Sequence, residues 1–322
     1  MSKYIANNKI FAHDFRKENP ISVDLFLSDM CNNNCYYCGS NKDNKSMMSK
    51  ETIKKSIEYI KNIRAKSITL NGGGEPTMSP HFKYAVELAK ENHLEVGLIT
   101  NGVLPIENIN DFTWIRFSLD ANSPEMYRQI RVADKFDQVV DNIKHTIDNK
   151  KDTTVGVQIV VNKYNWTSLI TTMHDLNELF PDIDYINIRP IESIEEPYDS
   201  NQLYVITTQL DKYFTNDKVI ISDKWSIINE KNHGFDYCHF ANHAGVIDVH
   251  GDYYLCCHHV GNHTYKYCNI NDETSFYHSR EKVIEKLENN GFNPAICPIG
   301  CRGTAVNMVL ESVGKMKHKN FL

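Results

Sequence analysis

Between residues 20 and 190 the chain alternates two hydrophobic rhythms. Short runs rich in Ile, Val and Leu lie at Ile21–Ser28, Ser67–Asn71, Glu95–Thr100, Trp114–Leu119, Thr154–Asn162 and Tyr185–Arg189. They predict six strands of the nearly continuous apolar kind found in buried parallel sheets. Longer segments with apolar residues at helical spacing separate most of them. One begins at Ser49, a suitable N-cap, and carries Ile53, Ile57 and Ile60 on one face. The others are Phe82–Ala89, Phe136–Ile147 with Val139, Val140 and Ile143, and Trp166–Phe180 with Leu169, Met173, Leu176 and Phe180. The link between the third and fourth strands is short, so its helix is weak.

Six βα units predict an α/β fold, either a parallel barrel or a doubly wound sheet. In both, the loops at the C-terminal strand ends form the active face. After Arg189 the texture changes. Pro190–Gln202 is polar and broken by proline, which reads as a linker. The expected organisation is a domain at residues 20–190, linking and bridging elements at 191–237, and a small α+β domain at 238–322.

Composition narrows the function. The 322 residues carry a formal charge of −6, which disfavours a basic nucleic-acid face or a polybasic membrane contact. The tail Lys315-Met-Lys317-His-Lys319 is the sole support for a nucleic-acid role, and a short charge run is usually just solvated. No run approaches the ~20 apolar residues of a membrane helix, and the first residues hold no apolar signal region, so a cytoplasmic location is expected. Nine cysteines in that setting point to metal or redox chemistry rather than a disulfide scaffold. Three cluster at Cys31, Cys35 and Cys38; the other six all follow residue 237.

Cys31-Asn-Asn-Asn-Cys35-Tyr-Tyr-Cys38 follows the first predicted strand. Three thiolates so close in sequence can hold one cubane and leave its fourth iron open for chemistry. The bland alternative is a zinc loop lacking a ligand. This motif resembles the radical S-adenosylmethionine superfamily. Further elements fall in the family's order: Gly72-Gly73-Gly74-Glu75-Pro76 after the second strand, Thr100-Asn101-Gly102 after the third, and Ser118-Leu119-Asp120 after the fourth. The resemblance implies a partial (β/α)6 TIM-type barrel. It also implies a [4Fe–4S] cluster on Cys31, Cys35 and Cys38 whose open iron binds the amino and carboxylate groups of S-adenosylmethionine. One-electron cleavage of that cosubstrate then yields a 5′-deoxyadenosyl radical that abstracts a substrate hydrogen. Tyr37 would lie near the adenine, Gly73 and Gly74 would allow close backbone approach, and Glu75 would hold the ammonium. Thr100 and Asn101 would line the cofactor, Ser118 and Asp120 would contact the ribose, and Arg131 would meet the methionine carboxylate. Arg131 reads equally well as a solvated helix charge. Asn162 and Arg189, at the ends of strands five and six, would face the same cavity or serve structure.

Cys238 is followed, after a gap of twelve residues, by Gly251-Asp-Tyr-Tyr-Leu-Cys256, and later by Cys297-Pro-Ile-Gly-Cys301. This resembles the family's SPASM and twitch domains, and the shorter twitch form implies one auxiliary [4Fe–4S] cluster on Cys238, Cys256, Cys297 and Cys301. Zinc is the rival, because eight of the 14 histidines lie between His233 and His278. Cys257 and Cys268 are left over. Both read as small buried side chains, or Cys257 as a thiol donating a hydrogen atom to a substrate radical, as in some epimerases of the family.

The resemblance implies an oxidoreductase or isomerase that epimerises, cross-links or oxidises by two electrons a ribosomally made peptide. A sugar or aminocyclitol is the small-molecule alternative, and a non-catalytic zinc or iron–sulfur module the alternative outside catalysis. A flavodoxin or ferredoxin would supply the electron.

Overall fold

The computed structural model describes residues 20–40, 44–191, 198–213, 218–226 and 238–272, with isolated positions at 228, 235, 297, 301, 303, 304 and 306–309. The segment before residue 20 and the basic tail lie outside the described residues. Parallel strands β1 (Ser22–Phe26), β2 (Ser67–Asn71), β3 (Glu95–Thr100), β4 (Trp114–Ser118), β5 (Thr154–Val161) and β6 (Tyr185–Pro190) pair in sequence order. Each of the six starts and ends within two residues of its expected position.

Helices α1 (Lys50–Asn62), α2 (Phe82–Glu91), α3 (Pro124–Arg131), α4 (Phe136–Asn149) and α5 (Leu169–Leu179) fill the crossovers. Ser49 caps α1, its side chain accepting the Thr52 N–H. Only a short 3-10 turn, Ile109–Asp111, joins β3 to β4, as its length demands. The expected Trp166–Phe180 helix opens with a separate 3-10 turn, Trp166–Ser168. α3 is an addition: Ser123 caps it and Pro124 occupies its first turn.

Alternation along each strand divides the sheet into two faces. Val23, Leu25, Ile68, Leu70, Val96, Leu98, Ile115, Phe117, Val155 and Val157 pack into one continuous core under the helices. The opposite face is half-open: β2 and β4 each show a strict alternation of half-buried and buried positions. One end of that face is closed by two rings laid across glycines on neighbouring strands. A Cβ at Gly97 would lie 2.3 Å from the Trp114 ring, and one at Gly156 2.3 Å from Tyr185, so only glycine fits at either position.

The sheet extends beyond six strands to ten. β7 (Val219–Ile221) adds in parallel to β6, and β8 (Ala244–Ile247) adds in parallel to β1 at the other edge. β9 (Asp252–Tyr254) and β10 (Lys266–Asn269) follow antiparallel. The cysteine-rich C-terminal part is therefore continuous with the main sheet. Helix α6 (Ser200–Tyr213) begins inside the expected linker Pro190–Gln202. It forms because Leu203, Ile206 and Leu210 share one face and are buried in the core. Residues 192–197 of that linker lie outside the described residues.

Candidate functional site

The loop after β1 carries Cys31, Cys35 and Cys38 and is held from beneath. The last carbonyls of α3 accept its backbone: Asn34 N–H donates to Arg131 O at 3.0 Å and Tyr36 N–H to Ile130 O at 3.1 Å. Helix ends leave such carbonyls without intrahelical donors, and here the cysteine loop supplies them. Val132 ends the helix in the left-handed region, φ +50°, an uncommon conformation for a β-branched residue. Asn33 donates to the buried Tyr127 hydroxyl at 3.0 Å. Cys31 and Cys38 remain exposed while Cys35 is buried.

The glycine turn after β2 docks on the same loop. Gly74 N–H donates to Ser28 O at 2.9 Å and Glu75 N–H to Met30 O at 2.7 Å. At Gly74 a Cβ would sit 2.2 Å from Met30 O and 2.4 Å from the Asp29 carbonyl carbon. At Gly73 it would lie 2.6 Å from Asp29 Oδ1. Gly74 therefore permits the close backbone approach that fixes Glu75, whereas at Gly73 only the Asp29 side chain would have to move. Its carboxylate is buried and encircled by donors. Thr100 Oγ1 and Thr77 Oγ1 each donate to Oε1 at 2.7 Å, Thr77 N–H to Oε1 at 3.2 Å, and Asn101 N–H to Oε2 at 2.7 Å. Burial pushes the Glu75 carboxyl upward, and these donors pull it back.

Amide and guanidinium donors then reach the sulfurs. Asn101 Nδ2 lies 3.6 Å from Cys31 Sγ and 2.6 Å from Asn32 Oδ1. Arg131 Nη1 lies 3.4 Å from Cys35 Sγ. Arg131 is buried, which removes the solvated-charge reading, and its Nη2 pairs with Asp120 Oδ2 at 2.8 Å. Asp120 differs from its expected role as a ribose contact. It is fully enclosed (0% exposed), takes φ +65°, and spends its carboxylate on protein donors. Val160 N–H donates to Oδ1 at 2.7 Å, and the Tyr37 hydroxyl donates to Oδ2. Desolvation raises the Tyr37 hydroxyl well above its ordinary value. Asp120 thus ties the cysteine loop, α3 and β5 together.

Of the expected residues, Cys31, Cys35, Tyr37, Gly74, Glu75, Thr100, Asn101, Asp120 and Arg131 form one connected network at the C-terminal strand ends. Ser118 lies half-buried on the open face of β4 without joining it. Asn162 is consumed locally: its Nδ2 donates to Val160 O at 2.8 Å and its Oδ1 accepts from Tyr164 N–H at 3.0 Å. Asn165, not singled out from sequence, donates to Asp120 O and Val160 O, both at 3.0 Å. Thr77 was also missed. The run Glu75-Pro-Thr77, a short polar cap beside proline, is the signal that could have found it.

The late cysteines also converge. Cys297 and Cys301 hydrogen-bond to one another, and Cys238 and Cys256 lie within electrostatic reach of both. Burial pushes the Cys238 thiol up to about 11 and Cys256 up to about 12. N–H donors face these sulfurs: Asn307 Nδ2 at 3.5 Å from Cys238, Gly303 N at 3.4 Å from Cys301. Asn307 is fully buried and fixed by accepting Phe240 N–H at 2.7 Å. Among the described residues no three cysteine sulfurs lie within 4.8 Å of one another. Cys268 is buried in the main core, a small packing residue. Cys257 is half-buried against Phe26, Val246 and Val249.

Residues 25–176 match the family model for the radical SAM superfamily. Among curated proteins, a probable GTP 3′,8-cyclase of Methanocaldococcus jannaschii is 27% identical over 168 residues, 49% of this chain and 53% of that protein. A protein of the same name from Saccharolobus islandicus is 32% identical over 154 residues, 44% of this chain and 48% of that protein. The match thus spans about half the length of these relatives. Among solved structures, Streptococcus suis SuiB bound to precursor peptide SuiA aligns with a TM-score of 0.67 at 15% identity, over 89% of this chain and 70% of that one. The structure of anSMEcpe with bound AdoMet and Cp18Cys peptide aligns with a TM-score of 0.63 at 17% identity, over 88% and 90%. These structural likenesses establish the α/β fold. No described helix is long and apolar enough to cross a membrane.

Proposed function

From the premise that residues 25–176 are a domain of the radical SAM superfamily, we propose that this protein cleaves S-adenosylmethionine reductively and uses the resulting radical on a peptide substrate. The donor set fits a [4Fe–4S] cluster at Cys31, Cys35 and Cys38, with Asn101 and Arg131 donating toward two of the sulfurs. When bound, that cluster supplies the electron that splits the cosubstrate into methionine and a 5′-deoxyadenosyl radical. The protein's share is positioning. Glu75, held by four donors, presents fixed negative charge for an ammonium. Arg131, locked by Asp120, holds positive charge beside Cys35 and the Tyr37 ring, 5.9 Å from its centroid. The half-open face of the sheet receives the substrate.

The single observation that carries this reading is the joining of the cysteine loop, Glu75, Asn101 and Arg131 into one network. Cys238, Cys256, Cys297 and Cys301 are assigned an auxiliary [4Fe–4S] cluster, carried by a C-terminal part whose strands continue the main sheet. The peptide outcome (epimerisation, cross-linking or oxidation) draws support from the peptide-bound SuiB and anSMEcpe, whose alignments extend over the C-terminal part. Cys257 as a hydrogen-atom donor and a flavodoxin or ferredoxin reductant belong to the same proposal, as does a cytoplasmic location. The second reading, cyclisation of a nucleotide, is favoured by the curated relatives, whose similarity covers about half of this chain.

Anaerobic reconstitution tests the core. Wild-type protein with dithionite and S-adenosylmethionine should form 5′-deoxyadenosine, and Cys31→Ala should form none. Equal product from both would reject the assignment. Screening peptides and GTP for stimulation separates the two readings.

A further inference from the structure

The half-open face of the sheet is polar where an unliganded interior would be apolar. Parity along the strands puts Arg116 on β4, Gln158 on β5, and Asn187 and Arg189 on β6 on this face, opposite the core residues Ile115, Phe117, Val157, Ile159, Ile186 and Ile188. Strand register sets their depth. Ser118, Gln158 and Asn187 form one row; Arg116 pairs with Gly156 in the deeper direction, and Val160 with Arg189 toward the mouth. Arg116 lies 5.6 Å from the Trp114 ring centroid, and its charge reaches the half-buried Tyr185, so it sits on the aromatic floor.

Gln158 is the odd member. It is 7% exposed, and its Oε1 is buried with no hydrogen-bond partner. As an oxygen it would need a donor, but the oxygen and NH2 of a carboxamide are interchangeable; with the NH2 in that place the unmet group is a donor, whose cost of about 1–3 kcal/mol a carboxylate would offset. Arg116 and Arg189 each already have a partner, and each guanidinium carries five donors, more than one partner uses. The carboxylates on this face of the described strands β1–β6 are Asp24, three strands from β4, and Glu95, exposed at the start of β3.

We infer that the interior binds a carboxylate of the substrate, between the forks of Arg116 and Arg189 and against Gln158. This deepens the function proposed above and rests on it only for calling the ligand a substrate. A guanidinium fork matches a planar carboxylate. Phosphate sites lean on free backbone N–H groups at helix N-termini or nests, whereas these positions lie inside strands whose backbone is paired in the sheet.

Binding can be read without turnover. Reconstituted protein is titrated by ligand-observed NMR with glutarate, its uncharged diamide glutaramide, and inorganic phosphate. Glutarate should bind, glutaramide and phosphate should not, and R116Q and R189Q should each weaken glutarate at least tenfold. Q158E, which adds a negative charge with little change of size, should do the same, and covers the case in which an arginine variant fails to fold. Glutarate bound equally by wild type and all three variants, no glutarate binding by wild type, or phosphate bound in preference would overturn the inference. Formation of 5′-deoxyadenosine by wild type without added substrate judges the radical reading separately.

Discussion

The two cysteine regions are built on opposite principles. The first sits on a loop at the mouth of the parallel sheet, with three cysteines, two of them exposed, and donors that reach only some of its sulfurs. The second packs Cys238 and Cys297 with Phe240, Ala241, Leu255 and Val306, with Cys238 and Cys301 buried and amide donors from Asn307 and Gly303 facing their sulfurs. Metal chemistry needs an open coordination position, while a structural or electron-carrying site is closed. On the proposed assignment, one protein would separate these tasks by ligand number and burial. The open site is joined to Glu75, Arg131 and Asp120; the closed one is joined to its own packing.

The largest effect that would break this comparison is on chemistry. Cys31→Ala should abolish cosubstrate cleavage while leaving the thermal unfolding midpoint near that of wild type, because Cys31 is exposed. Cys238→Ala should do the reverse in emphasis, lowering the midpoint, because on the proposed assignment it removes a ligand from a buried site whose occupancy is linked to folding. Equal loss of stability in both would erase the distinction.

Next in size is Asp120→Ala. It strands the buried Arg131 guanidinium, and breaking a buried pair in this way costs about 3–5 kcal/mol, readable by urea titration. Gly74→Ala follows, at about 1–3 kcal/mol for overpacking. The Cβ there meets immovable backbone, so Glu75 shifts and S-adenosylmethionine affinity, read by equilibrium dialysis, falls with it. The smallest effect sharpens the role of Glu75. Its folded pKa is raised by burial, so its contribution to stability is fullest below the unfolded value of about 4.3. That contribution declines as pH rises through the folded value. Glu75→Gln should remove that slope from the stability profile.

Much of the site was legible because its residues fall at strand ends, where spacing along the chain maps directly onto one face. The six strands and the Ser49 cap followed from periodicity. Helix α3 escaped because it is only eight residues long and mostly polar, although Ser123-Pro124 is a proper start signal. Strands β7 to β10, three or four residues each, are too short for alternation to declare itself. Hence the continuity of the late cysteine region with β1 was invisible. Asp120 and Asn307 were misjudged or missed for a shared reason. Their work lies in contacts to residues 11 to 83 positions away, which no local pattern encodes.

The most direct test of the division between an open and a closed site is the iron and sulfide content, with EPR of the reduced state, of anaerobically reconstituted protein in which Cys31, Cys35 and Cys38 are all alanine. About four irons should remain, the content of one cubane, and their signal should not change on adding S-adenosylmethionine, whereas the wild-type spectrum should contain a component that does. Loss of all iron with zinc in its place, or a remaining signal that responds to the cosubstrate, would contradict the account.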